Sequence, residues 1–360
     1  MLFESSVVTP NDADLQRLPA GLGDLRSPGK RGQHGRLAIP SADRARSNGL
    51  GQMNLIIGHR RPRIEAIGYD YAARPKRHIE SCNLCSEKVF VTVAHRDRYG
   101  FPASAQACRN CGLTFLNPAM TADAYSEFYQ SIYRPLVSAY HGRLIDADSI
   151  QEEQRVYASN LAGLLERHLS GASGGGLLDI GGSTGIVAHH FKRAFGMHAT
   201  VIDPAPMEIE VARRLELDTV TGFVETYEPG DRRYRIALMC QTVDHLLDAR
   251  SALAKVHDLL SDDGVFFVDI VDFRAAYRRN GSIEEAVKID HPYYFTEETM
   301  QSLLRRSGLR VREVDYARDH LHVGFVCGKG KPEPDALPDA ADICDYFREV
   351  RAIHNPVPAP

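Results

Sequence analysis

Leu177-Leu178-Asp179-Ile180 runs into Gly181-Gly182-Ser183-Thr184-Gly185 and then into IVAHHFKRAF, which reads as an apolar strand breaking on a glycine-rich turn into an amphipathic helix. No other feature constrains the fold as tightly, because small residues at such a turn let backbone N–H groups and the positive helix end approach a ligand. Three chemistries use it. A nicotinamide dinucleotide site wants GxGxxG, and that spacing fails at Ser183 and Ile186. A serine-hydrolase elbow wants GxSxG, which Gly181 to Gly185 satisfies with Ser183 as the nucleophile. The third pattern, D-x-G-x-[GS]-x-G, fits Asp179 to Gly185. The flanks favour the third: Thr200-Val201-Ile202-Asp203 ends a second strand on a carboxylate, so Asp179 and Asp203 can serve an ammonium group and ribose hydroxyls. A hydrolase elbow needs neither, and it follows several strands of its sheet, whereas the residues before this turn read as helices.

Four of the seven cysteines form two pairs, Cys82-Asn-Leu-Cys85 and Cys108-Arg-Asn-Cys111, the second followed by Gly112. Seven is too sparse for a disulfide scaffold in a chain of 360 residues, and two CxxC turns place four thiolates around one tetrahedral ion. A redox CxxC would open a helix in a βαβ context, which is absent from this stretch. KVFVTVAHRDRYG and GLTFLNP read as short strands ended by turns, so residues 79–118 are expected to form a small zinc ribbon. Four cysteines close the coordination sphere, which makes the zinc structural and leaves His78 and His95 as surface residues. Cys240, Cys327 and Cys344 have no ligand spacing.

Up to about Leu50 the chain is rich in Gly, Pro, Ser and Arg without a sustained period, and residues 1–78 are read as a disordered basic arm, with Met53 an alternative start. The whole chain carries a formal net charge of −4, which counts against a molecule that coats nucleic acid. It has no apolar run of about 18 residues, and MLFESSVVTP lacks the order of a signal peptide, so a cytoplasmic protein with no membrane span is expected.

With those residues in view, the segment from about Tyr125 to Lys329 resembles the class I S-adenosylmethionine-dependent methyltransferases. LLDIGGSTG is similar to their first motif, VIDPA to their ribose-binding turn, and Gly222-Phe223 to the loop that flanks adenine. YRIALMCQTVDHLLD resembles their fourth-strand motif, LLSDDGVFFVDIVDF the fifth-strand turn, and HPYYFTEETMQSLLRRSGLRVREVD the late segment before the last strand, HVGFVCGKG. With the four cysteines and FYQSIYRPL in front, the chain resembles the subgroup bearing an N-terminal zinc ribbon, many of whose members methylate sugars, surface polysaccharides or natural products.

The resemblance implies an α/β, Rossmann-like, seven-stranded sheet at 171–330, a small N-terminal zinc ribbon, a helical connector or cofactor lid at 119–170 and a C-terminal helix within 331–360. It also implies S-adenosylmethionine as cofactor, held by Asp179, Gly181, Gly182, Ser183, Gly185, Asp203, Pro204, Gly222, Phe223, Gln241 and Thr242, with zinc on Cys82, Cys85, Cys108 and Cys111. Methyl transfer to a hydroxyl needs in-line positioning and a base, and His245 and His291 are the two candidates. Tyr129, Tyr133 and Arg134 sit in a helical segment that could roof the donor, and Tyr293 and Tyr294 could stack on the acceptor. The expected partner is a small hydroxylated, sugar-like or natural-product acceptor. Two further readings stay open: a non-catalytic scaffold on this fold, and an RNA methyltransferase gripping phosphates through ribbon and arm.

Overall fold

Strand residues that are apolar on both faces need helices on both sides of their sheet, and the central elements here are built that way. The computed structural model describes residues 60–169 and 174–354. In chain order, helix α1 (60–65) and strands β1 (Lys76–Arg77), β2 (Phe90–Ala94), β3 (Ala105–Cys108), β4 (Thr114–Leu116) and β5 (Ala119–Met120) come first. Helices α2 (Ala122–Ser131), α3 (Tyr133–His141) and α4 (Gln151–Glu166) follow. Next are β6 (Gly176–Ile180), α5 (Ile186–Phe195), β7 (His198–Asp203), α6 (Pro206–Arg214), β8 (Asp218–Thr221), β9 (Tyr234–Met239), α7 (Ala249–Leu259) and β10 (Leu260–Val271). The chain continues through α8 (Phe273–Asn280), β11 (Tyr293–Tyr294), α9 (Glu297–Arg306), β12 (Leu309–Tyr316), β13 (His322–Lys329) and α10 (Ala340–His354).

The main sheet has the order β12-β13-β10-β9-β6-β7-β8; β13 runs antiparallel to both its neighbours and the remaining pairings are parallel. This is the seven-stranded, Rossmann-like α/β sheet expected from the sequence. Side chains alternate between two cores. Leu177, Val201, Leu238 and Phe267 pack with α4, α5 and α6 on one face, while Leu178, Ile202, Met239 and Phe266 pack with α7 and α9 on the other. Gly185 starts α5 at φ 74°, and a Cβ there would lie 2.7 Å from Leu217 Cδ1 and 2.9 Å from Ala212 Cβ. Only glycine lets α5 and α6 close up at this point.

Cys108 ends β3 of a second, smaller sheet of order β11-β4-β3-β2, the other three cysteines lie in turns outside its strands, and its β11 strand comes from far down the chain. The cysteine region therefore shares secondary structure with the loop that carries His291. It also shares a core with the main sheet, where Leu84, Leu113 and Phe115 pack in the same cluster as Ile180 and Leu253. Asn83 is bonded to Asp248 (Nδ2 to Oδ1, 2.8 Å) and accepts the N–H of Arg250 at 2.9 Å, which fixes the first CxxC turn to the start of α7.

One expected boundary is corrected. Residues 1–59 of the basic arm lie outside the described residues, but 60–78 are built into the fold: Tyr69 and Tyr71 are buried, and Lys76–Arg77 pairs with Ala119–Met120. The composition that reads as disordered runs only to about Leu50, and extending it to 78 passes over Tyr69 and Tyr71, which supply an apolar anchor. None of the helices in the described residues is long and apolar enough to cross a membrane.

Candidate active site

The carboxyl ends of β6, β7 and β9 open on one cleft, at the point where the strand order reverses and where ligands bind in open α/β sheets. It encloses about 730 Å³, part of it open to solvent. Gly181, Asp203, Pro204, Gly222, Phe223, Thr242 and His245 line it. Asp179, Gly182, Ser183, Gly185, Gln241 and His291 lie outside that lining.

The glycine turn is held by backbone and carboxylate together. Gly181 donates its N–H to Ile202 O at 2.7 Å, and Ser183 donates its N–H to Asp203 Oδ2 at 2.9 Å. Ala205 donates to the other Asp203 oxygen at 2.8 Å, so Asp203 bridges the turn and the start of α6 while still facing the cleft. A Cβ on Gly182 would lie 2.6 Å from the Asp179 carboxyl carbon, so this glycine is required by the buried acid beneath it. Asp179 is 1% exposed and neither carboxylate oxygen has a hydrogen-bond partner. Burial, then the nearby charge of Asp203, pushes its pKa up to about 7.

Ser183 is no hydrolytic nucleophile. Its hydroxyl donates to Glu208 Oε2 at 2.9 Å, and Glu208 Oε1 accepts from Arg134 Nε at 3.1 Å and Nη2 at 2.6 Å. Burial opposes the Glu208 charge, and Arg134 and Ser183 favour it. The same contacts tie α3 over the cleft, with Tyr129 and Tyr133 also in its wall. Arg134 Nη1 is buried there without a partner. Gln241 adopts φ 48° and donates its N–H to Asp269 Oδ1 at 2.6 Å, so it bends the chain after β9.

The two histidines singled out from sequence pack together, with ring centroids 4.4 Å apart, and only His245 lines the cleft. They are not equivalent. His245 is partly open to the cleft, and burial followed by His291 pushes its pKa down to about 4. His291 sits behind it, 8% exposed, facing a smaller cavity; its Nδ1 is 2.8 Å from Asp244 Oδ2 and its Nε2 is 3.4 Å from Asp290 Oδ2. Against the effect of burial, His291 holds the Asp244 carboxyl below its ordinary range. The loop under His291 is gripped by the small sheet: Leu116 donates to Pro292 O at 2.9 Å and Ile289 donates to Asp97 Oδ2 at 3.1 Å. Tyr293 and Tyr294 are buried strand residues of β11 outside the main cleft.

The four cysteine sulfurs lie within 4.8 Å of one another, with Cys82 Sγ 3.5 Å from Cys111 Sγ and Cys85 Sγ 3.4 Å from Cys108 Sγ. The edge of a tetrahedron with 2.3 Å zinc–sulfur bonds is about 3.8 Å, so the donor set matches in element, number and spacing. Sequence reasoning missed Asp244, Glu208 and Asp97. Their roles come from partners 25 to 192 residues away, and no local pattern announces them.

Residues 150–314 match a family model described as a methyltransferase domain. The C-methyltransferase NovU of Streptomyces niveus is 27% identical over 227 residues, covering 61% of this chain and 49% of that protein. The O-methyltransferase cnsE of Penicillium expansum is 24% identical over 213 residues, covering 57% of this chain and 77% of that protein. The chain thus spans about half the length of the first of these relatives. Among solved structures, DesVI of Streptomyces venezuelae superposes with a TM-score of 0.43 at 19% identity, covering 52% of this chain and 99% of that one.

Proposed function

We propose that this chain, whose residues 150–314 match a methyltransferase-domain model, is a class I S-adenosylmethionine-dependent enzyme that methylates a small hydroxylated, sugar-like or natural-product acceptor. The observation that carries the reading is the meeting, in one cleft, of the glycine turn, the Asp203 carboxylate and a partly exposed imidazole, His245. The two relatives, a C- and an O-methyltransferase, suit a small acceptor without choosing the methylated atom.

The residues fit S-adenosylmethionine. Asp179 is a buried carboxylate lacking a hydrogen-bond partner beside the turn, which suits an ammonium group, and Asp203 faces the cleft to receive ribose hydroxyls. Ile180, Ile202, Phe223 and Val224 give an apolar wall for adenine, and the unpartnered Arg134 N–H adds a donor under the lid. When bound, the cofactor supplies a methyl group on a cationic sulfur that leaves as a neutral thioether. The chain's own work is to orient the acceptor in line, exclude water beneath α3 and take the acceptor's proton. His245 is placed to take that proton from the cleft side, and His291, pinned by Asp244, packs against it from behind.

The cysteine sheet is proposed to hold one structural zinc on Cys82, Cys85, Cys108 and Cys111, supported by the sulfur spacing above. Calorimetric titration of the zinc-replete protein with S-adenosylmethionine tests the reading, with Asp203→Ala alongside and circular dichroism to establish that both are folded. Micromolar binding that the variant weakens by about 10- to 100-fold, the worth of one or two hydrogen bonds to a charged group, is expected. A folded wild-type protein that does not bind sinks the enzyme reading.

A further inference from the structure

The Tyr129 hydroxyl sits between two groups, 2.6 Å from His245 Nδ1 and 3.0 Å from the main-chain oxygen of Asp290. It has one proton to give. A carbonyl oxygen can only accept, and two buried oxygens at 3.0 Å without a proton between them repel, so the hydroxyl proton belongs on the Asp290 side. His245 Nδ1 must then be the donor in the shorter contact. A neutral imidazole carries one N–H, and with that hydrogen on Nδ1 the lone pair is left on Nε2.

We propose that Tyr129 is a positioning residue that holds His245 as its Nδ1–H tautomer, so that Nε2 is the nitrogen available to accept a proton at the floor of the cleft. The proposal rests on the methyltransferase reading only for the use made of that lone pair; the tautomer itself is a property of the resting protein.

Three further observations support it. Tyr129 is pushed well above the ordinary phenol range by burial and then by Asp290, so its hydroxyl keeps its proton. The Asp290 carbonyl cannot swing away, because its loop is tied at Ile289 to Asp97 and at Pro292 to Leu116. The imidazole is also confined, with the Tyr133 ring edge-on at 6.2 Å between centroids and the His291 ring at 4.4 Å. The charged and titratable groups around it are Tyr129, Tyr133, His291, Asp244, Asp290 and Lys288. Burial and His291 push its pKa down more than Asp244 and Asp290 raise it, which keeps the ring neutral at pH 7. Tyr129 arrives from α2, outside the main sheet, so helix packing over the cleft determines which nitrogen faces the reaction.

Ring nitrogen–proton correlation spectra of the full, zinc-replete chain labelled with 15N-histidine at pH 7 test the proposal. His245→Gln identifies the His245 signals by their loss, and His291→Gln identifies those of its neighbour. The expected wild-type pattern is a protonated Nδ1 and an unprotonated Nε2. Tyr129→Phe, which removes the hydroxyl and little volume, is expected to move at least about half of the population to the Nε2–H form, as two neutral tautomers of similar energy would divide. A wild-type ring that is mainly Nε2–H overturns the proposal, even where Tyr129→Phe fails to fold, and so does a variant spectrum unchanged from wild type. In turnover, Tyr129→Phe is expected to lower kcat by about 10- to 100-fold while donor affinity stays within about twofold. Because the spectra need no acceptor, an inactive protein with the expected tautomer would count against the enzyme reading and leave the tautomer standing.

Discussion

The two sides of the cleft are built on different plans. On the proposed donor side, Asp179, Gly181, Gly182 and Ser183 are consecutive or nearly so, and Asp203 ends the adjacent strand, so one βαβ unit carries these five, while Phe223 and Arg134 reach the cleft from the turn after β8 and from α3. On the proposed acceptor side, Tyr129 comes from α2, His245 from the turn after β9, and His291 from a loop held by the four-stranded sheet beside the cysteines. The acceptor side depends on three separate packings, and damage to any one of them should leave donor binding largely in place while transfer fails.

Removal of the proposed zinc is the hardest way to strain that contrast. Structural zinc in small Cys-rich modules contributes on the order of 10 kcal/mol of folding free energy, and here the cysteine turns also share a core with Ile180 and Leu253. Cys108→Ser with Cys111→Ser, or prolonged chelation, is expected to release one zinc per chain by elemental analysis, lower the melting temperature and abolish turnover. If the contrast holds, residual S-adenosylmethionine binding outlasts activity as chelation proceeds. Equal loss of both at every stage would show that the cysteine sheet supports the donor half as well.

His245→Gln is the next largest effect and the cleaner one, since the side chain is partly open to the cleft and its loss leaves no large void. Turnover should fall by about 100- to 10,000-fold, the usual worth of a positioned acid–base group, with the calorimetric donor affinity within about threefold of wild type. A variant that keeps full turnover would remove His245 from the mechanism. One that loses donor binding would place the ring on the other side of the cleft.

The same contrast explains what could be read in the sequence. A glycine turn and its acidic strand ends are local, so Asp179, Gly181 and Asp203 can be singled out from their spacing, whereas the seven-stranded sheet is implied by the family resemblance and is what the structure shows. Gly185 is legible as a glycine but not as to cause: its constraint is packing against Ala212 and Leu217. Ser183 matches two motifs, between which the flanking strand ends choose in the sequence, but its bond to the Glu208 carboxylate beyond the next strand is visible only in the fold. His245 and His291 can be named as candidates from their neighbours, yet their unequal exposure and the Asp244 partner depend on a chain crossing that no window contains. Residues 60–78 fail for a related reason, since β1 is defined by its pairing with β5, more than forty residues later.

The smallest effect concerns the donor side alone and gives it a signature that the acceptor side lacks. With the Asp179 pKa pushed up to about 7 by burial and by Asp203, the resting protein holds a proton there over most of the range below neutrality. The folded pKa lies above the unfolded one, so this group's contribution to stability is complete below about pH 4 and is lost as the pH rises through about 7. Asp269, pushed up to about 6 chiefly by burial, adds to the same trend. A ligand bearing an ammonium group prefers the ionised carboxylate, so affinity for S-adenosylmethionine should rise with pH between about 5.5 and 7, where an α-ammonium stays charged. The gain is expected to approach tenfold per pH unit at the acid end of that range and to flatten near 7. Calorimetry across the range, with Asp179→Asn as the control, measures it. The slope should vanish in the variant and persist in His245→Gln, because the acceptor-side imidazole is already neutral throughout that range. A slope that survives Asp179→Asn would move the titrating group elsewhere and remove Asp179 from ammonium recognition.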